Sequence, residues 1–164
     1  MTFFNQIKKR LAQNNSDEGI LSPINGQIFP INEVTDSVFS EQLLGQSISI
    51  YPVETKQTIV APVSGTLELL YPTGHAFGIR MNDGMSILVH IGIDTVNLNG
   101  KFFEVLNKQG NQVSQGDPIV KVDFEALKKA DYNLAVIVII TDNPNNNQIT
   151  FAESGVVNCL ERIN

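Results

Sequence analysis

Both histidines of the chain, His75 and His90, fall in one stretch. It runs Thr73-Gly-His-Ala-Phe-Gly-Ile, then Asn82-Asp83-Gly84, then Met85-Ser-Ile-Leu-Val-His-Ile-Gly-Ile-Asp-Thr-Val. A pair of imidazoles supports several chemistries. His90-x-x-x-Asp94 with His75 has the donor types of a zinc site, but a catalytic zinc needs three protein ligands and an open position, and there is neither a third histidine nor a His-x-His pair. Covalent phosphoryl carriage asks less. A neutral imidazole is a nucleophile, roughly three quarters of an unperturbed one is uncharged at pH 7, and a second imidazole beside it can donate to phosphoryl oxygens as charge moves. Thr73 is placed to hold that second ring's other nitrogen. Phosphoryl transfer then needs in-line positioning and electrostatic stabilisation, which two imidazoles on a rigid sheet supply. Outside a shared site, each histidine would be a surface residue or a hydrogen-bonded core residue.

The elements that must position these rings are strands. Asp83-Gly84 is a hairpin turn signal between two alternating runs, so His75 and His90 are expected on neighbouring strands within side-chain reach. Along the second run Met85, Ile87, Val89 and Ile91 share one face, leaving Ser86, Leu88 and His90 on the other. Gly92 lets the backbone pass close to the ring.

Either side of this hairpin the chain reads as many short strands. Ile20-Leu-Ser-Pro-Ile-Asn-Gly is repeated by Ile59-Val-Ala-Pro-Val-Ser-Gly, two copies of strand, sharp corner, strand, which suggests duplication of a β unit. Ser47-Ile-Ser-Ile-Tyr-Pro alternates as a strand, and Phe39 to Gly45 reads as a helical turn or loop. Ile119 to Val122 is a strand, Asp123 caps a helix over Phe124 to Ala130, and Leu134 to Ile140 is a β-branched run suited to a fully buried central strand. Two last strands are expected near Ile149 to Ala152 and Val156 to Ile163. The fold class is all-β, an antiparallel sandwich or barrel with one or two short helices.

At 164 residues, 42% hydrophobic and 17% charged, the chain has material for one ordinary core. A net charge of −6 with eleven Lys and Arg leaves no basic face for phosphate backbones, which excludes nucleic acid as the main partner. Lone Cys159 makes no intrachain disulfide, and no membrane-length apolar run or secretory signal is visible, so a cytoplasmic location is the default expectation. Residues 1–12 place Phe3, Phe4, Ile7 and Leu11 on one helical arc with Lys8, Lys9 and Arg10 outside it, either packed on the domain or in weak contact with an anionic membrane surface. Together with the polar linker that follows, residues 1–19 form a tail and residues 20–164 the domain. Val113 to Val122, with Glu54-Thr-Lys56, has some likeness to lipoyl and biotinyl carrier domains, but the order of the pieces is wrong and Lys56 lacks a flanking hairpin.

Ala61-Pro-Val-Ser-Gly-Thr, Gly74-His-Ala-Phe-Gly-Ile, Leu88-Val-His-Ile-Gly-Ile-Asp-Thr-Val and Leu98-Asn-Gly together closely resemble the glucose-class enzyme IIA of the bacterial phosphoenolpyruvate:sugar phosphotransferase system. The likeness runs in order over about residues 20 to 163. It implies an antiparallel β-sandwich with Greek-key character, in which His90 takes a phosphoryl group on Nε2 from HPr and passes it to a IIB domain. His75 assists transfer, Thr73 orients His75, and the Gly92 carbonyl meets His90 Nδ1. An apolar docking patch would map to Val38, Phe39, Leu43, Leu44, Tyr71 and Leu88, rimmed by Asp36 and Asp94, and when unphosphorylated it would also serve regulatory protein targets. No cofactor is implied, and zinc on His75 and His90 would be adventitious or regulatory. The sequence departs from the family pattern at Phe102, where a glycine is expected.

Overall fold

The computed structural model describes residues 19–164. The amphipathic stretch 1–12 lies outside the described residues. Among the described residues eleven antiparallel strands form two sheets. They are β1 (Gly26–Phe29), β2 (Gln46–Pro52), β3 (Lys56–Val60), β4 (Gly65–Leu70), β5 (Ala76–Arg80), β6 (Ser86–Ile91), β7 (Phe103–Val105), β8 (Gln112–Val113), β9 (Pro118–Asp123), β10 (Val136–Asp142) and β11 (Gly155–Val157). The larger sheet has the order β11-β1-β2-β10-β6-β5-β4-β8 and the smaller β3-β9-β7. The insertion of β10 between β2 and β6 gives the larger sheet its Greek-key character.

The main core lies between the sheets. Ile79, Ile87, Val89 and Ile91 of the larger sheet meet Ile59, Val120 and Val122 of the smaller, all essentially fully buried. Alternation sends the other side chains of the larger sheet to its outer face, where Ile137 and Ile139 of β10 join Val34, Phe39, Ile93 and Ala135 in a second, smaller cluster. β10 is thus buried on both faces, and that is why its sequence is continuously apolar.

Among the described residues two short α-helices flank the strands. Helix α1 (Ser37–Ser40) starts two residues before the expected helical turn because the Asp36 carboxylate accepts from the Val38 N–H at 2.8 Å. Helix α2 (Phe124–Lys129) is capped by Asp123, as its sequence indicates, through the Ala126 N–H at 3.0 Å. The strand expected at Ile149 to Ala152 does not form. The Ile149 carbonyl is taken by the Gln46 side chain, and the segment runs past β2 without a ladder. The final strand likewise shortens to Gly155–Val157.

The two Pro-Gly copies are structurally equivalent and lock together. Leu21 N–H donates to the Pro62 carbonyl at 3.0 Å and Val60 N–H to the Pro23 carbonyl at 3.2 Å. Ser22 exchanges backbone bonds with Leu160 and Glu161 just as Ala61 does with Gly116 and Asp117. Each copy then enters a strand at a glycine, Gly26 or Gly65, where a Cβ would meet a backbone oxygen at 2.6 or 2.2 Å, so no other residue fits at that crossing.

Phe102 resolves the departure from the family pattern. Its φ is +77°, the left-handed conformation that glycine adopts freely and that costs another residue about 1–2 kcal/mol. The backbone keeps the route that glycine would take, and the ring repays part of the strain by packing on the main core, with the Lys101 ammonium 5.0 Å from its centroid. Phe102→Gly is therefore expected to change stability by less than about 1 kcal/mol, because lost packing and relieved strain offset each other. Phe102→Val keeps the strain and loses the ring, and should cost about 2 kcal/mol or more. Thermal denaturation of both variants reads the difference, and equal losses would contradict this balance.

Candidate functional site

The histidines meet on the outer face of the larger sheet. Ala76 pairs with His90 across β5 and β6, and His90 pairs with Ile137 on its other side, so the ring projects from the middle of a continuous ladder. His75 stands one residue before β5 in a tight loop closed by Gly74 N–H to the Tyr71 carbonyl at 2.8 Å, and its own carbonyl accepts from the Ile91 N–H. The two imidazoles lie edge to face, centroids 5.6 Å apart and planes at 77°. Thr73 Oγ1 is 2.5 Å from His75 Nδ1.

The chain beyond β6 is built to turn at the ring. Gly92 has φ +72°, and a Cβ there would lie 2.5 Å from Thr95 Cγ2. Its N–H donates to the Ala135 carbonyl, and the buried Thr95 hydroxyl reaches back to the Ile91 carbonyl at 2.6 Å. Asp94 follows with φ +59°. Gly74, Gly92, Asp94, Asn99, Gly100 and Phe102 all carry positive φ in the loops around the histidines, a concentration of uncommon backbone of the kind found at functional sites.

Burial pushes both rings toward the neutral form. His75 is buried, and burial lowers its pKa below the ordinary value. The pKa of His90 is pushed down to about 4, first by burial and then by the neighbouring His75, with the Gly92 backbone and the Asp36 and Asp94 charges opposing the shift. The Gly92 contact favours protonation but is poorly aligned, since Nδ1 of His90 is buried without a well-formed hydrogen bond. Burial of Nδ1 leaves Nε2 as the accessible nitrogen.

These shifts have a sign that stability should follow. An unfolded imidazole takes its proton near pH 6.5, whereas His90 in the fold resists until about pH 4. Between those values the unfolded chain binds more protons, so stability is full above pH 6.5, falls as the pH drops through that range, and is lowest below about pH 4. The size is about 2–4 kcal/mol for this one ring. Melting followed from neutral to acid pH should show a steeper decline in wild type than in His90→Gln, and parallel declines would mean that His90 is not held neutral by the fold.

Of the residues expected to form an apolar docking patch, Val38, Leu43, Leu44 and Tyr71 are exposed and Leu88 is half-buried. Asp36 is half-buried and Asp94 exposed. Phe39 corrects the expectation. It is only 7% exposed, a member of the second core cluster, and its ring centroid lies 4.8 Å from that of His90. The cap at Asp36 starts helix α1 early and rotates Phe39 inward, leaving Val38 outside. Val96, exposed in the turn after Asp94, adds an apolar surface residue that the motif contained but that its type alone did not single out. The pinning hydroxyl of Thr95 likewise lay inside the quoted motif without a visible role.

Among the described residues no group of three His, Cys, Asp or Glu side chains is arranged to hold a metal, so nothing joins the two histidines as a third ligand. Lys56 opens β3 in the smaller sheet while the preceding β2 belongs to the larger, so no hairpin presents it as a modified lysine would require. No helix among the described residues is long and apolar enough to cross a membrane.

Comparison with known proteins agrees with this geometry. The family model for the phosphoenolpyruvate-dependent sugar phosphotransferase system, EIIA 1, matches residues 18–146. The beta-glucoside-specific EIIBCA component of Halalkalibacterium halodurans is 40% identical over 146 residues, which are 89% of this chain and 23% of that protein. The chain therefore spans under a quarter of the length of that multidomain relative. The glucose-specific EIIA component of Staphylococcus aureus is 36% identical over 126 residues, 77% of this chain and 75% of its own length. The solved glucose permease IIA from Mycoplasma capricolum superposes with a TM-score of 0.81 at 37% identity, covering 88% of this chain and 92% of that one. With the family model matched over residues 18–146 and these relatives sharing the sandwich, the chain is a member of the EIIA 1 family of the phosphoenolpyruvate-dependent sugar phosphotransferase system.

Proposed function

We propose that the chain is a phosphohistidine carrier. His90 Nε2 attacks the phosphoryl group of phosphorylated HPr. The N–P bond to the donor breaks as the bond to Nε2 forms, and the group then passes, by the same exchange, to a IIB domain of a sugar permease. The observation that carries this reading is the pairing of His90, a half-buried ring whose Nδ1 is buried and whose pKa is pushed down, with a second imidazole at 5.6 Å whose Nδ1 is tied to Thr73. When the Thr73 hydroxyl donates to His75 Nδ1, the proton of His75 sits on Nε2 and points its donor capacity at the transferring oxygens. Two neutral rings add no positive charge that would trap the phosphorylated state, and Asp36 and Asp94 bring negative charge that keeps the group ready to leave.

Val38, Leu43, Leu44, Tyr71 and Leu88 form the docking face for donor and acceptor alike, with Asp36 and Asp94 available to basic residues on either partner. Apolar docking excludes water from the exchange. The same face, when unphosphorylated, serves regulatory protein targets. We place the exchange in the cytoplasm at the inner face of the membrane, with residues 1–12 as a weak surface contact, measurable by liposome sedimentation with and without anionic lipid.

The decisive experiment incubates the chain with phosphoenolpyruvate, enzyme I and HPr and follows intact mass. One phosphoryl increment that disappears on adding a IIB domain is expected. No increment would overturn the carrier reading in favour of a binding module or a lipoyl-type carrier.

A further inference from the structure

Four aromatic rings stand in an unbroken row across the site. Phe39 and His90 have centroids 4.8 Å apart at 48°, His90 and His75 5.6 Å apart at 77°, and His75 and Tyr71 4.7 Å apart at 44°. Each imidazole thus rests on the other and on one six-membered aromatic ring, the phenyl of Phe39 or the phenol of Tyr71. We infer that Phe39 and Tyr71 are positioning residues for phosphoryl transfer, the outer brackets that fix the planes of His90 and His75. The inference rests on the reading of His90 as the phosphoryl acceptor, and it gives a task in transfer to one buried core residue, Phe39, and to one residue of the docking face, Tyr71.

The need for such brackets follows from what hydrogen bonds leave undone. The ring torsion of a histidine is broad and roughly two-fold, so a strand fixes its Cβ but not its ring plane. His75 has a tether at Nδ1 through Thr73, which sets one nitrogen but still allows rotation about that contact. His90 has no well-formed bond at Nδ1. In-line attack requires the Nε2 lone pair to lie along the breaking bond, and misplacement by about 1 Å can lower a rate on the order of 10²-fold. Packing must therefore supply the orientation.

Phe39 is well anchored to do so. It is buried among Val34, Ile93, Ala135, Ile137 and Ile139. Its helix is capped by Asp36 at one end, and at the other the Phe39 carbonyl accepts from the Gln42 N–H while the Gln42 side chain accepts from the Ser47 N–H of β2. That same helix turns Val38 outward, with Leu43 and Leu44 just beyond it. A partner seated on those residues lies over the side chain that touches the nucleophile, so docking and ring orientation are mechanically joined. Tyr71 acts from the other end. Its exposed ring leans on His75, which is itself buried, and its N–H is fixed to the Ala76 carbonyl at 3.2 Å.

The bracket reading separates from simple docking by what it does in the free protein. The groups that face His90 are His75, Phe39, the Gly92 backbone, Asp36 and Asp94. Removing the Phe39 ring opens one side to water and leaves the two carboxylates in place, so the His90 pKa should rise from about 4 towards 6.5.

The test uses the whole chain and four variants, Phe39→Leu, Phe39→Tyr, Tyr71→Leu and Tyr71→Phe. Imidazole titrations by nuclear magnetic resonance are read in the free protein, and transfer rates are read at saturating partner. Phe39→Leu should raise the His90 titration and slow acceptance from HPr on the order of tenfold or more at saturation, and Phe39→Tyr should restore both. Tyr71→Leu, at an exposed position where folding is not at stake, should shift the His75 titration and slow delivery to IIB on the order of tenfold, with Tyr71→Phe behaving as wild type. Wild-type titrations and wild-type saturating rates in both leucine variants, with only a raised KM for HPr or IIB, would overturn the inference and leave Tyr71 as a docking residue and Phe39 as core packing. Should wild type accept no phosphate at all, the carrier reading falls, and the titrations alone decide. Shifts confined to the leucine variants would still support bracketing, and their absence would end it.

Discussion

His90→Ala should take up no phosphoryl group from HPr, while melting close to wild type. Loss of a nucleophile is not graded. His75 cannot replace it, because His75 is buried, covered by Tyr71, and tied at Nδ1 to Thr73. The missing ring leaves a small space against Phe39 at the rim of the second cluster, not in the main core, so the stability change should stay near the 0.5–1.5 kcal/mol of a minor packing defect. Intact mass after incubation with the phosphorylating mixture checks the first expectation and thermal denaturation the second. A phosphoryl increment retained by a folded variant would sink the assignment of His90.

His75→Gln should divide the reaction in two. Its nucleophile is intact, and HPr brings its own positioning, so phosphate should still be accepted. Delivery should suffer, because the donor aimed at the transferring oxygens is no longer an imidazole held by Thr73. One oriented donor at a transition state is typically worth on the order of 10² to 10³ in rate, so phosphorylated protein should accumulate when IIB is present. Rapid-quench measurement of both half-reactions resolves this. Delivery at the wild-type rate would reduce His75 to a neighbour of His90.

Much of this arrangement is legible in the sequence. The Asp83-Gly84 turn and the alternation of Met85 to Ile91 place His90 on a paired strand opposite the main core, while His75 falls one residue short of the partner strand, in the loop before β5. The β-branched run at Leu134 to Ile140 becomes the doubly buried β10, and Asp123 caps its helix. Those signals are local, and local geometry enforced them. What escaped depended on tertiary contacts. Helix α1 is four residues long, too short for periodicity to show which side is inward, so Phe39 read as surface. The left-handed backbone at Phe102 is invisible because its residue type argues against it. Ile149 to Ala152 has a strand composition but no neighbouring edge to pair with. The row of four rings joins residues from three separate segments, and no spacing rule links Phe39 to Tyr71.

The ladder that pairs Ala76 with His90 and His90 with Ile137 has one further implication. His90, mounted in the middle of an eight-stranded sheet, belongs to the last part of the molecule to open, so the amide hydrogens there should exchange only through global unfolding. Little conformational freedom is then left here to lose when a partner arrives. On the carrier reading proposed above, HPr and IIB would meet the same surface in turn, and whatever ordering either encounter demands would fall on the visitor. Brief residence is the natural result, since a surface that does not reshape around one guest has nothing to undo before the next.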